Sequence, residues 1–152
     1  MMVRICALEM TMNRGIAALL LLATAATAYA ATSTRSPAPP GAEVYFIEPK
    51  DGAVVPPTFT VKFGLKGMGV APAGVDQPGT GHHHLLIDTP VPGDPAQPLP
   101  ATDRVLHFGK GQTETEVTLP PGKHTLQLEL GNYLHIPFDP PVESKVITIT
   151  VN

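Results

Sequence analysis

The chain has 152 residues, a formal net charge of −3 and only 15% charged residues, which excludes a basic nucleic-acid-binding face. Eighteen prolines and fourteen glycines argue against an all-helical protein, because proline removes a backbone donor and breaks helix interiors. Yet 43% of the residues are hydrophobic, too many for a disordered tail, so turns and apolar runs together predict short strands.

Arg4 and Arg14 precede an apolar run from Gly15 to Ala28 centred on Leu19, Leu20, Leu21 and Leu22. It ends in Ala28-Tyr29-Ala30, small residues at the −3 and −1 positions before Ala31. A charged start, a short apolar run and an A-x-A site predict a secretory signal peptide over residues 1–30. The run is shorter than the ~20 residues a spanning helix needs, so no membrane span is expected after cleavage. The expected location is periplasmic or secreted. Cys6, the one cysteine, lies upstream of the apolar run, so the remaining chain has no disulfide and no thiolate ligand. Residues 31–42, small, polar and proline-rich, read as a flexible spacer. Residues 43–152 then form one domain.

That domain reads as a strand ladder. Val44 to Ile47 is a β-branched and aromatic run closed by the turn Pro49-Lys50-Asp51-Gly52. Phe59, Val61, Phe63 and Leu65 alternate with Thr60, Lys62 and Gly64, a period of two with one buried face. Gly67 to Gly81 is a glycine- and proline-rich loop. His82 to Asp88 contains Leu85-Leu86-Ile87, a central strand buried on both faces. Pro90 to Pro100 carries five prolines and reads as an irregular excursion. Val105 to Phe108 and Glu114 to Leu119 flank Gly109-Lys110-Gly111, read as a hairpin turn. Leu126, Leu128 and Leu130 form the apolar face of a sixth strand, and Ile147, Ile149 and Val151 that of a seventh. Seven short strands predict an immunoglobulin-like antiparallel β-sandwich, with a small β-barrel as the alternative. The expected core holds Phe59, Val61, Phe63, Leu85, Ile87, Leu126, Leu128, Ile147 and Ile149.

The histidines carry the chemistry. Alternate side chains of a strand share a face, so His82 and His84 point together and His83 points away. Such a pair presents two imidazoles to one ion, and a third ligand must come from elsewhere. His135 is that third ligand, because the loop after the sixth strand lies at the same end of such a sandwich as the start of the third. Neutral imidazoles without thiolate suit divalent copper or zinc, and affinity is expected to fall as pH drops through about 6. The competing reading packs His84 in the core with its nitrogens on loop carbonyls and leaves His82 and His83 in solvent. His124 is expected near the opposite end with a backbone hydrogen bond. His107 receives no placement.

Catalytic motifs are weak. Ser33, Ser36 and Ser144 stand in no Gly-x-Ser-x-Gly elbow, and Gly109-Lys110-Gly111 lacks the spacing of a phosphate loop. Glu114 and Glu116 share a strand face that reads as its solvated side.

Three segments carry a resemblance: Gly81-His82-His83-His84-Leu85-Leu86-Ile87-Asp88, His107-Phe108-Gly109-Lys110-Gly111-Gln112-Thr113-Glu114, and Leu119-Pro120-Pro121-Gly122-Lys123-His124-Thr125-Leu126-Gln127-Leu128. In this order, from His82 to Val151, the chain resembles the bacterial family of domain of unknown function 4399. The resemblance implies an exported single-domain bacterial protein and carries over no catalytic residue. Phe46 to Val55 is also similar to the first strand of bacterial immunoglobulin-like envelope modules. The functional expectation is an exported, non-catalytic cell-envelope module that binds an envelope ligand or protein and holds a divalent metal through its histidines. The alternative is a copper- or zinc-dependent redox enzyme, since a His-x-His strand in a β-sandwich resembles the copper site of copper–zinc superoxide dismutases. Two departures weigh against it: there is no disulfide, and no second metal site can be assembled.

Overall fold

Alternation of apolar and polar residues sets the long strands, and the computed structural model, which describes residues 35–152, contains nine of them. They are β1 (Glu43–Glu48), β2 (Val54–Val55), β3 (Thr58–Lys66), β4 (Gly69–Val70), β5 (Thr80–Ile87), β6 (Val105–His107), β7 (Glu114–Thr118), β8 (Gly122–Gly131) and β9 (Ile147–Val151). All seven expected strands are present, joined by the two-residue strands β2 and β4, and the described residues contain no helix. The expected signal peptide, residues 1–30, and residues 31–34 of the expected spacer lie outside the described residues.

The strands form two sheets. One has the order β1-β3-β7; the other has the order β2-β9-β8-β5-β4, with β6 also paired to β5. With β1, β3 and β7 taken as A, B and E, and β5, β8 and β9 as C, F and G, this is the immunoglobulin partition of strands. The larger sheet curls into a half-barrel. Pairing is antiparallel except where β2 meets β9 and β4 meets β5.

The core lies between the sheets. Phe59, Val61 and Phe63 of β3 face Leu85 and Ile87 of β5, Leu126 and Leu128 of β8, and Ile147 and Ile149 of β9 in one cluster, which contains the whole expected set. Each such side chain contributes about 1.5–3 kcal/mol by leaving water.

Two expectations are corrected. Gly109-Lys110-Gly111 is not a hairpin turn, because β6 pairs with β5 while β7 pairs with β3 in the other sheet. The segment crosses between sheets, so its flanking strands cannot pair. Residues 35–42 are not a free spacer either. The Ala38 and Asp139 N–H groups donate to the Asp139 and Ser36 carbonyls, and Arg35 reaches the Pro137 and Phe138 carbonyls.

A candidate metal centre of four histidines

On β5 the odd residues His83, Leu85 and Ile87 pair in register with Leu130, Leu128 and Leu126 of β8 and face the core. The even residues His82 and His84 pair with Gly131 and Glu129 and point to the other side of the sheet. His83 accordingly packs on Phe63, with ring centroids 5.1 Å apart, and takes no part in the cluster on the opposite face.

On that opposite face four imidazoles converge. His107 of β6 pairs in register with His84, and His135 arrives from the loop that follows β8. The His82 ring centroid lies 4.9 Å from His84, 5.0 Å from His107 and 5.0 Å from His135. His107 and His135 are 4.7 Å apart, His84 and His107 5.2 Å, and His84 and His135 6.2 Å. One ligand atom from each of His82, His107 and His135 lies within 4.8 Å of the other two. His82 and His84 are fully buried, His135 is half-buried and His107 is exposed, so the cluster has a closed floor and an open rim.

Local sequence makes room for these rings. A Cβ on Gly109 would stand 2.2 Å from His107 Cε1 and 2.6 Å from its Nε2. A Cβ on Gly131 would stand 2.7 Å from His84 Cε1 and 3.2 Å from its Nδ1. Both glycines are spaces that imidazoles occupy. The His135 loop is organised by buried Asn132, whose side-chain oxygen accepts the N–H groups of Leu134 at 2.9 Å and Ile136 at 3.0 Å. The Asn132 carbonyl accepts the His135 N–H at 2.8 Å, and the His135 carbonyl accepts the Leu99 N–H at 2.8 Å. The proline-rich excursion is thereby tied over the histidine face. His135 itself has φ +67°, a left-handed conformation that costs a non-glycine residue stability.

Burial and mutual repulsion favour the neutral form of His82, His84 and His107. Burial, then the neighbouring His107, His135 and His83, push His82 down to about 4. Burial, then His82, His107 and His135, push His84 to about 2. Burial and then His135 lower His107. The four ring nitrogens of His82 and His84 are buried without a hydrogen-bond partner, which costs about 1–3 kcal/mol for each group so orphaned. Neutral, converging, unpartnered nitrogen donors are what a transition-metal ion satisfies.

Of the three histidines expected to meet, His82 and His135 fall with His107 in the set whose ligand atoms lie within 4.8 Å of one another, while His84 lies outside that set, its ring 4.9 Å from His82 and 6.2 Å from His135. The competing arrangement is not found: none of His82, His83 and His84 is solvated, and His84 has no carbonyl partner. Sequence reasoning missed His107, because its strand was assigned to a hairpin with β7 instead of to the edge of β5. The usable signal was the bulky, β-branched pattern of Val105-Leu106-His107, which places His107 and Val105 on one face. His124 sits away from the cluster: its Nδ1 meets Asp88 Oδ2 at 2.7 Å and its Nε2 meets the Pro120 carbonyl at 2.9 Å.

The family model for the domain of unknown function DUF4399 matches residues 61–152, which includes all four histidines. The chain belongs to this family. No curated protein matches it. Among solved structures, the chain is similar to the X-ray structure of the endo-beta-1,4-mannanase from Thermotoga petrophila, at 21% identity and a TM-score of 0.43. That match covers 73% of this chain and 20% of the mannanase chain.

Proposed function

We propose that this protein is an exported, non-catalytic module of the cell envelope that binds a divalent copper or zinc ion through His82, His84, His107 and His135. The observation that carries the reading is the convergence of four imidazoles of which two are buried with every nitrogen unpartnered. The reading adds His107 to the His82, His84 and His135 set, because its ring is nearer His82, His84 and His135 than many packed pairs of rings are. An all-imidazole set without thiolate suits copper or zinc, and copper stands highest in the affinity order. Exposed His107 gives the ion a route in from solvent.

The test is calorimetric titration of purified protein, free of any histidine tag, with Cu(II) and Zn(II). Binding near one equivalent is expected, accompanied by a rise in melting temperature, because an ion bound only by the folded state stabilises it. His82→Ala should abolish both effects, and His124→Ala should keep both. Absence of binding by the unsubstituted protein would refute the reading. Export rests on the Arg14, leucine-rich and Ala-x-Ala sequence. Protein recovered from the periplasmic fraction should begin at Ala31, and an intact precursor held in the inner membrane would contradict export.

A further inference from the structure

We propose that the histidine cluster is a tetrahedral site whose ion is Zn(II) and not a tetragonal ion such as Cu(II) or Ni(II). The assignment rests on the metal-binding reading above and deepens it by naming the ion.

Topology builds a tripod and a cap. His82 and His84 rise from one face of β5, and His107 of β6 pairs directly with His84, so all three share that face. Their ring centroids form a nearly equilateral triangle with sides of 4.9, 5.0 and 5.2 Å. His135 comes from outside the sheet. Its Cα lies 3.3 Å from the point where a Cβ on Gly131 would stand, a point also 2.7 Å from His84 Cε1. Gly131 pairs directly with His82, so the loop folds back over the face from which the other rings rise. The His135 centroid then lies 5.0 Å from His82, 4.7 Å from His107 and 6.2 Å from His84.

These six separations discriminate between geometries. With metal–nitrogen bonds of about 2.0–2.1 Å, the ring centres of a tetrahedral four-imidazole site stand about 5 Å apart on every edge. A square plane with the same bonds has four sides of about 4.5 Å and two diagonals of about 6.3 Å. Five of the six observed separations lie between 4.7 and 5.2 Å. Only His84 to His135 has the length of a diagonal, and its crossing diagonal, His82 to His107, is 5.0 Å. The cluster is a tetrahedron opened along one edge, not a plane. Its closed face is the His82, His107 and His135 set, whose ligand atoms lie within 4.8 Å of one another.

Flattening would have to drive His82 and His107 apart. The backbone opposes that, because β6 is held to β5 by the pairs Leu85 with Leu106 and Leu86 with Val105. The Phe108 N–H also donates to the His83 carbonyl at 3.1 Å. Zn(II) has no geometric preference from d-electrons and accepts a tetrahedral nitrogen set, whereas Cu(II) and Ni(II) favour tetragonal ones. The thiolate or thioether ligands that would draw Cu(I) are absent from the four.

Co(II) is the probe, because its visible bands are intense in a tetrahedral site and weak in an octahedral one. Protein free of any histidine tag is titrated with Co(II) and then Zn(II), and separately with Ni(II) and Cu(II). His107→Ala is run beside it, since that ring is exposed and lies outside the core. The expected result is an intense Co(II) band that one equivalent of Zn(II) removes, with Zn(II) bound at least about tenfold more tightly than Ni(II). In His107→Ala the band should shift, while the ion-free melting temperature stays within a few degrees. A weak Co(II) band, Ni(II) bound as tightly as Zn(II), or an ordinary tetragonal paramagnetic resonance spectrum from the Cu(II) form would overturn the tetrahedral assignment while leaving the site standing. A Co(II) band unchanged in His107→Ala would overturn it as well. A protein that binds none of the four ions would overturn the metal-binding reading itself.

Discussion

His107 and His135 lie ring to ring at 4.7 Å, although one ends a short edge strand and the other sits in the loop after β8. His107 is seated by the missing side chain of Gly109, two residues on, whose Cβ would fall 2.2 Å from the ring. Gly109→Ala must therefore move the His107 ring. Metal affinity should fall toward that of His107→Ala, while the core, which Gly109 does not enter, keeps its melting temperature to within a few degrees. Titration of the two variants side by side checks this. An affinity unchanged in Gly109→Ala but lost in His107→Ala would show that the ring has another seat.

His135 offers a separation of binding from stability. Its φ of +67° is the left-handed region, where glycine is at ease and a β-carbon is not. His135→Gly should thus stabilise the ion-free fold or leave it unchanged, relieving up to about 1 kcal/mol of strain against added freedom of the unfolded chain. The same variant removes a ligand and should weaken metal binding. Urea denaturation with and without Zn(II) reads both effects. A marked loss of ion-free stability would mean that the His135 ring, and not Asn132, holds this loop.

The fold was legible where alternation is strong. Phe59, Val61 and Phe63, or Leu126 and Leu128, each mark a strand and its buried face without reference to anything distant. What escaped was pairing. Val105-Leu106-His107 is a three-residue strand whose partner is decided by the curl of the larger sheet and by contacts with β5, and no local pattern encodes that choice. The site followed the same division. His82, His84 and His135 come together through strand periodicity and sandwich topology, which sequence carries. His107 enters through the register of β6 against β5. Glu129 reads as the polar side of an alternating strand, yet it is buried where the β8–β9 connection bridges to it at Glu143.

Leu128 tests the sandwich itself. It is fully buried, pairs in register with Leu85, and its N–H donates to Ser144 Oγ at 2.9 Å. Leu128→Ala should cost about 2–5 kcal/mol in denaturant unfolding, the range for a truncated core leucine. It should leave the metal-dependent increment in stability intact, since its side chain lies on the core face of the sheet, opposite His82, His84, His107 and His135. A cost under about 1 kcal/mol would contradict its place in the core.

The final prediction concerns pH and follows from groups buried in their neutral forms. Burial lowers His83 to about 4, against a smaller opposing pull from the Gln112 backbone, and His82 and His84 are lowered to about 4 and about 2. The unfolded chain takes up these protons near pH 6.5 and the folded chain does not, so their stabilisation is present above about pH 6.5 and lost as pH falls toward 4. His83 alone accounts for on the order of 3 kcal/mol of that loss. Glu129 runs the other way. Burial, then Glu143, raise it to about 8, so the folded state holds a proton that the unfolded state has released, and stability declines as pH rises from about 4.5 to 8. His124, raised by its bonds to Asp88 and the Pro120 carbonyl, adds to the decline above about pH 6.5, because its contribution is lost as pH passes its raised value. Three histidines outweigh one carboxyl group in acid, and the carboxyl and His124 act unopposed above it. Ion-free stability should therefore peak near pH 6.5, and the loss of metal affinity expected of ordinary imidazoles at pH 6 should move lower for His82 and His84. Urea midpoints from pH 4 to 8 measure the curve. His83→Leu should flatten its acid limb and Glu129→Gln its alkaline limb, and a curve unchanged by either substitution would mean that these groups titrate as if in water.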